Sequence, residues 1–170
     1  MKYSDIELIT NGHYRVDVSW DYLEKHLERY KRIYKLDLEP DFQRAHVWTE
    51  EQKSRYVEYI LRDGPSGREL YFNCPGFDKC VTGDMVIVDG KQRLNAVLGF
   101  LHNKVPAFGH YFDEYAGYPR MVITSFKFVV NDLSTKQEVL KWYLALNEGG
   151  TPHTEEELSK VRRMLNEGTE

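Results

Sequence analysis

The sequence predicts one small domain of the α/β (α+β) class, because strand and helix patterns are mixed along the chain. Three short β-prone runs, at 69–73, 85–88 and 121–130, lie between segments whose apolar residues have helical spacing. The 170 residues, 41% of them hydrophobic, are enough for a packed core. Since the sequence has no internal repeat, low-complexity tract or linker, we assign residues 1–170 to a single domain.

Two helices are predicted in the first half of the chain. The first covers 19–34, where Ser19 can cap the helix and large apolar side chains share one face, namely Trp20, Leu23, Leu27, Tyr30 and Tyr34. The second begins with a capping box, Thr49 to Gln52, and is stopped by an Asp-Gly-Pro sequence at 63–65. Its buried face is expected to consist of Tyr56, Tyr59 and Ile60.

A strand, a tight turn and a helix follow one another without a spacer in the middle of the chain. The strand at 85–88 leads directly into Asp89 and Gly90, after which apolar residues recur at helical spacing, at Leu94, Val97, Leu98 and Leu101. The run at 121–130 alternates as a strand does. Two further capping boxes predict the last helices, at Ser134 to Gln137 and at Thr154 to Glu157.

The charge balance restricts where a phosphate group can bind. The chain has 23 Lys and Arg residues against 27 Asp and Glu residues, which gives a net charge of −4 and a pI of about 5.9. A protein of this kind does not coat nucleic acid through a uniformly basic surface. Any phosphate-binding function must therefore be concentrated at a local site.

The sequence also predicts a cytoplasmic protein. Its apolar runs are only a few residues long, against the ~20 residues that a membrane-spanning helix needs. The first ten residues are too polar for a signal peptide. Two cysteines, Cys74 and Cys80, are too few for a disulfide framework and have no nearby partners for a zinc site. We expect both to be ordinary reduced thiols.

One segment, from Asp89 to Arg93, contains charged residues that packing of the core does not require. Gly90 allows a tight turn, and the helix that begins near Lys91 directs its free amides and the positive end of its dipole to the same place. Lys91 and Arg93 add positive charge, and an arginine can bind a phosphate with two parallel hydrogen bonds. The segment predicts a phosphate site. The alternative is an ordinary turn in which Asp89 caps the helix and both cations are solvated.

A second charged segment, Pro-Asp-Phe-Gln-Arg at 40–44, also has two interpretations. Phe42 is expected in the core. Gln43 and Arg44 are either functional side chains or part of a surface loop. Taken alone, neither segment decides between a site and a loop.

Together, the two segments resemble a known family. The resemblance is carried by Pro40 to Arg44, by Trp48 and the capped helix after it, and by Val88 to Leu94. These residues are similar to the ParB/sulfiredoxin-like domain at the front of GmrSD-type modification-dependent restriction enzymes, whose signature reads Asp-Gly-Gln-Gln-Arg. Here Lys91 stands in place of the first glutamine. A similar stretch at 146–154 extends the resemblance over about residues 35–165.

The resemblance implies a small mixed β-sheet flanked by helices, with a nucleotide pocket at the Asp-Gly turn. It further implies hydrolysis of a nucleoside triphosphate, with Mg²⁺ or another divalent cation as cofactor, in a process that licenses DNA cleavage. In relatives a second, HNH-type domain usually cleaves the DNA, so a separate nuclease or defence protein is an expected partner. The implied setting is DNA restriction, phage defence or mobile-element biology. Sulfiredoxin activity is not expected, because no cysteine lies near 91–93.

The resemblance also implies a role for each residue of the Asp-Gly turn. Arg93 and the backbone amides of Gly90 and Lys91 are expected to contact phosphate. Asp89 is expected to position a water molecule or a metal ion, and it is the candidate metal ligand. Asp89 and Arg93, with Arg44, are the expected catalytic residues.

Residues of the earlier loop are expected to face the same pocket. Gln43 and Arg44 would contact the nucleotide, and Arg44 would stabilise charge that develops on a leaving phosphate. Gln92 either positions the attacking water or bonds to backbone. Trp48 is expected in the core rather than as a platform for a base.

Three hypotheses for function follow. The first is a metal-dependent nucleoside triphosphate hydrolase built around the Asp-Gly turn. The second is a non-enzymatic module in which the same arginines bind a DNA backbone or a protein partner. The third is a single-domain nuclease, for which the sequence offers no HNH or paired-carboxylate motif. We favour the first.

Overall fold

A computed structural model describes residues 14–43, 48–77, 81–117, 124–148 and 155–167. In these ranges one four-stranded mixed sheet is combined with five α-helices, which confirms the predicted α/β class. The elements, in chain order, are β1 (Tyr14–Ser19), α1 (Trp20–Tyr34), α2 (Glu50–Leu61), β2 (Glu69–Asn73), β3 (Val86–Asp89), α3 (Lys91–Leu101), β4 (Ser125–Asn131), α4 (Lys136–Glu148) and α5 (Glu155–Glu167). A short 3₁₀ helix spans Phe112–Glu114.

The strands lie in the order β1-β4-β2-β3. β4 pairs antiparallel with β1 and parallel with β2, and β2 pairs antiparallel with β3. The strand predicted at 69–73 is confirmed, and β3 lies one residue later than predicted. β4 covers the second part of the predicted run 121–130, whose residues 121–123 lie outside the described residues. β1 was not predicted, because its pairing with a strand more than 100 residues away is not visible locally.

Helices on both faces of the sheet bury two separate apolar cores. The larger core joins α1, α2 and α3 to one face, where the rings of Phe72 and Phe128 lie 4.8 Å apart. The smaller core joins α4 and α5 to the other face near β3, where Trp142 contacts Tyr71 and Phe42 contacts Tyr143. Phe42 is therefore a core residue, as predicted.

The starts of α1 and α2 are capped differently. The capping box of α2 is confirmed, because the Thr49 hydroxyl accepts from the Gln52 amide and the Gln52 side chain accepts from the Thr49 amide. Ser19 occupies the N-cap position of α1 but makes no capping bond with its side chain. On α2 the fully buried residues are Val57 and Ile60, whereas the predicted core residue Tyr59 is exposed.

The capping box predicted at Ser134 to Gln137 was wrong by one residue. Thr135 caps α4, because its hydroxyl accepts from the Glu138 amide at 3.2 Å and the Glu138 carboxylate accepts from the Thr135 amide at 2.9 Å. These hydrogen bonds from Thr135 lower the pKa of Glu138. Ser and Thr are both favourable N-cap residues, so the sequence offers both registers. The box predicted at Thr154 lies outside the described residues.

None of the described helices has both the length and the apolar character that crossing a bilayer requires.

Candidate functional site

An open cleft of about 830 Å³ lies on the sheet face opposite α1. The start of α3 closes one side of it, and residues of the α2–β2 loop and the last turns of α4 border it. The cleft brings together all six of the predicted site residues that the structure describes, with four acidic and four basic residues in its lining. The charged residues are Asp17, Asp63, Glu69, Asp89, Arg68, Lys91, Arg93 and Lys127.

The turn into α3 depends on glycine at position 90. Gly90 is the N-cap of α3 and has a φ of 99°, in the left-handed region that disfavours a side chain. A Cβ atom there would lie 2.4 Å from Leu70 Cδ2 and 3.2 Å from Arg93 Nη2. The predicted strand-turn-helix unit is confirmed. The alternative in which Asp89 caps the helix is not, because the cap is Gly90.

The N-terminus of α3 is open to the cleft and has no acidic residue in its first turn. The first amides of any helix lack partners within the helix, and the helix dipole places partial positive charge there. Acidic side chains are stabilising at such a position. α3 instead has two basic residues, Lys91 and Arg93, in its first turn. This arrangement suits an external anion.

A register shift in β3 directs Asp89 into the cleft. Tyr71 pairs with Asp89, but the next residue of β2, Phe72, pairs with Ile87, so Val88 is an extra residue on β3. Phe72 and Ile87 lie in the larger core. Because neighbours along a strand alternate between the two faces, an unshifted β3 would place Asp89 on the core side with Ile87. The extra residue places it beside Tyr71 on the cleft side.

Asp89 and Arg93 form an ion pair across the first turn of α3. Their side chains are 34% and 21% exposed, so both remain reachable from the cleft. The Nε atom of Arg93 is buried and has no hydrogen-bond partner among the described residues. The structure therefore contradicts the alternative in which Arg93 is simply solvated.

Lys91 is a buried cation rather than a solvated one. Its side chain is 7% exposed, and its ammonium group binds the carboxylate of Glu39, 52 residues earlier in the chain. The positive charge that replaces the family's glutamine thus has a partner from the chain itself. Its contact with phosphate stays a prediction, and a phosphate at this position would share the ammonium group with Glu39.

Two glutamines of the predicted site bond to backbone. The side-chain amide of Gln43 donates to the carbonyl oxygens of Ile87 and Val88, both at 2.8 Å. The side-chain oxygen of Gln92 accepts from the Trp48 amide at 3.4 Å. Of the two roles left open for Gln92, the bond to backbone is the one present. Arg44 lies outside the described residues.

Trp48 packs against the larger core, as predicted, and also lines the cleft. Its ring lies 5.3 Å from that of Tyr56, whose hydroxyl donates to the Gly67 carbonyl at 2.7 Å. The α2–β2 loop and the Trp48 ring are thereby held together at one border of the cleft. Burial raises the pKa of Tyr56, so its hydroxyl remains a donor.

Sequence reasoning missed Glu69 and Tyr71. The Tyr71 hydroxyl donates to the Glu69 carboxylate, and burial followed by this bond raises the pKa of Tyr71 to about 12. Because side chains alternate between the two faces of a strand, the sequence of β2 does predict that Glu69 and Tyr71 share one face. Their proximity to Asp89 depends on the pairing of β2 with β3, which no local pattern shows.

The described residues contain no group of three His, Cys, Asp or Glu side chains that could together hold a metal ion. Cys74 is buried and free, and burial raises the pKa of its thiol to about 11, so little reactive thiolate is present at neutral pH. Cys80 lies outside the described residues.

Comparison with protein families gives one result. A family model described as the GmrSD restriction endonuclease, N-terminal domain, matches residues 23–117, more than half of the chain. The chain belongs to this family. Membership associates it with DNA restriction and phage defence. No curated protein and no solved structure gives a significant match.

The GmrSD match confirms the resemblance and defines its extent. It includes the Phe-Gln-Arg segment, Trp48 and the Asp-Gly turn. The match begins earlier than the predicted range of 35–165 and stops well before the end of that range. The stretch at 146–154 therefore lies outside the GmrSD match. Beyond residue 117 the chain adds β4, α4 and α5, of which β4 contributes Lys127 and α4 contributes Tyr143 to the cleft.

Proposed function

We propose that this GmrSD N-terminal domain binds the triphosphate of a nucleotide at the start of α3 and hydrolyses it, in a step that licenses DNA cleavage by a separate nuclease. One observation carries the proposal. The Gly90 turn directs a helix N-terminus without acidic residues into a cleft, and Arg93 stands beside it. Phosphate groups bind at such helix starts through backbone amides, the helix dipole and a nearby arginine.

The chain's own residues have separate tasks in this proposal. The amides of the first turn of α3 fix the orientation of a phosphate, and the absence of a side chain at Gly90 lets it approach the backbone closely. Arg93 neutralises charge on the phosphate oxygens, with Asp89 holding its guanidinium group in place. The Asp89 carboxylate is also suited to orient the attacking water.

The carboxylates of the cleft could hold a divalent cation that is bound jointly with phosphate. Mg²⁺ is usually held by one or two carboxylates together with phosphate oxygens, so a group of three protein ligands is not required. Asp89 would hold the cation, with Glu69 lining the same cleft. When bound, such a cation neutralises charge on the phosphate oxygens.

The balanced charge of the cleft favours a nucleotide over a DNA backbone as the ligand. Four acidic side chains offset the four basic ones in its lining. A long polyanion would meet repulsion along this surface, whereas a nucleotide that brings its own cation meets both a positive helix start and carboxylates.

Phosphate release tests the proposal. The wild-type protein and Arg93→Ala are each incubated with Mg²⁺ and with ATP, GTP, CTP or UTP. Arg55→Ala is the matched control, because Arg55 is an exposed arginine on α2. We expect release by wild type and the control, and a loss on the order of 10²-fold or more in Arg93→Ala, as for loss of a transition-state charge contact. No release above background by wild type, or equal release by Arg93→Ala, would contradict hydrolysis at this cleft.

A further inference from the structure

The segment before Arg44 runs along the free edge of β3. The Asp37 amide donates to the Met85 carbonyl at 2.8 Å, and the Ile87 amide donates to the Asp37 carbonyl at 3.0 Å. A few residues later Phe42 inserts into the smaller core. We call residues 36–43 the edge segment. It is anchored to β3 on one side and to the core of α4 and α5 on the other.

The edge segment ends at the register shift of β3. The Gln43 carboxamide donates to the carbonyls of Ile87 and Val88, and Val88 is the extra residue of that shift. One side-chain NH₂ group has two protons to donate, so a single glutamine can bond both carbonyls. The next residues along the chain are Asp89 and Gly90.

We infer that Gln43 is a positioning residue, which holds the shifted register of β3 and thereby the direction of Asp89 and the turn at Gly90. A shift by one residue moves a strand side chain from one face to the other, so Asp89 reaches the cleft only while this register is kept. Gln43 lines the cleft, but its side-chain NH₂ group donates both of its hydrogen bonds to backbone carbonyls of β3. Its part in phosphate binding, which rests on the proposed function, is thus indirect.

Two substitutions separate the effect of the hydrogen-bond donors of Gln43 from the effect of its side-chain size. Gln43→Met keeps the length and removes both donors. Gln43→Glu keeps the shape, and its carboxyl group can donate one bond when it is protonated and none when it is ionised. The two facing carbonyls favour the neutral form of the introduced carboxyl. Gln52→Glu is the matched control, because a glutamate serves equally well in the capping box of α2.

The first measurement needs no ligand. Amide NMR spectra and hydrogen exchange of the free protein report on Asp89, Gly90 and Lys91 directly. We expect Gln43→Met to shift these amide signals and to raise by about tenfold or more the exchange rate of the Ile87 amide, which is hydrogen-bonded to the Asp37 carbonyl, while amides in the middle of α2 stay unchanged. For Gln43→Glu we expect the same change at about pH 8 and partial recovery at about pH 4, where the protonated carboxyl restores one of the two bonds. Asp89, Lys91 and Arg93 share the cleft, so wild type is measured at both pH values.

The second measurement uses inorganic triphosphate with Mg²⁺ as the probe. We expect its Kd to rise about tenfold in Gln43→Met, and in Gln43→Glu to rise at high pH and return towards the wild-type value at low pH. If wild type binds neither this probe nor nucleotides, the proposed function fails, while the amide measurement still tests Gln43. Unchanged amides at 89–91 in a folded Gln43→Met protein, or a Gln43→Glu protein that behaves alike at both pH values, would overturn the inference. If Gln43→Met does not fold, the comparison of Gln43→Glu between high and low pH supplies the test.

Discussion

The starts of α2 and α3 differ in how their free backbone groups are satisfied. At α2 the Thr49–Gln52 capping box uses side chains of the chain itself, and two glutamates stand in the first turn. At α3 the cap is Gly90, which has no side chain, and the first turn has no acidic residue. One helix start is thus completed by side chains of its own helix, while the other has no side-chain cap, which is the feature that the proposed function uses.

The acidic side chains near α3 are held by partners other than its N-terminal amides. Asp89 pairs with Arg93, Glu39 binds Lys91, and Glu69 accepts from Tyr71. Each carboxylate could otherwise compete with a phosphate for the helix start. The difference between α2 and α3 therefore depends on Gly90, on the missing acidic residue and on these three pairings.

Gly90→Ala should have the largest effect, because it removes the feature that opens the start of α3. The substitution strains a φ of 99° and places a Cβ 2.4 Å from Leu70. We expect the free energy of unfolding to fall by about 2–4 kcal/mol, measured by urea denaturation. Gly109→Ala is the control, since Gly109 also has a positive φ but has nothing within 4 Å of an added Cβ. Equal losses in the two variants would show that backbone strain alone, and no contact with Leu70, makes glycine necessary.

Gln92→Glu should make the start of α3 resemble that of α2. It adds a carboxylate to the first turn and keeps the oxygen that accepts from the Trp48 amide. We expect the Kd for Mg²⁺-triphosphate, measured by calorimetry, to rise on the order of tenfold through repulsion at close range. Gln52→Glu at α2 is the control and should leave the Kd unchanged. If Gln92→Glu binds the probe as tightly as wild type, phosphate does not lie at the start of α3.

The local features of the cleft could be predicted from the sequence, because strand, turn and helix follow one another between residues 85 and 101. A short β-prone run, an Asp-Gly pair and helical spacing place Gly90 at a helix start without any long-range information. The same holds for the Thr49 box. Where two adjacent residues could both cap, at Ser134 and Thr135, the local pattern did not decide the register.

The parts of the cleft that were not predicted depend on distant pairings. Lys91 has its carboxylate partner 52 residues earlier, and the register shift that directs Asp89 arises from pairing with β2. Gln43 bonds to backbone 44 residues later in the chain. Side-chain type restricts what each residue can do, but sheet order and register decide what it meets.

Thr49→Ala should have a moderate effect that is confined to α2. It removes the hydroxyl that accepts from the Gln52 amide at 3.2 Å. We expect the free energy of unfolding to fall by about 1 kcal/mol, with the Kd for Mg²⁺-triphosphate unchanged. A Thr49→Ser variant keeps the cap and should lose little stability. A weaker affinity in Thr49→Ala at unchanged stability would instead show that the start of α2 is coupled to the cleft.

The smallest expected effect concerns Tyr71, whose hydroxyl donates to the Glu69 carboxylate. Burial, and then the bond to Glu69, raises the pKa of Tyr71 from 10 to about 12. The folded protein therefore keeps this proton at pH values where the unfolded chain loses it. The stabilising contribution is complete below pH 10 and is lost as the pH rises towards 12.

Urea denaturation across that pH window tests the assignment. Tyr71→Phe cannot ionise, so we expect its free energy of unfolding to fall less steeply than that of wild type between pH 10 and pH 12. The control is Tyr22→Phe, because Tyr22 is an exposed tyrosine on α1. It should follow the wild-type slope. Parallel slopes for Tyr71→Phe and wild type would mean that the pKa of Tyr71 is not raised in the folded protein, which would contradict both its burial and its bond to Glu69.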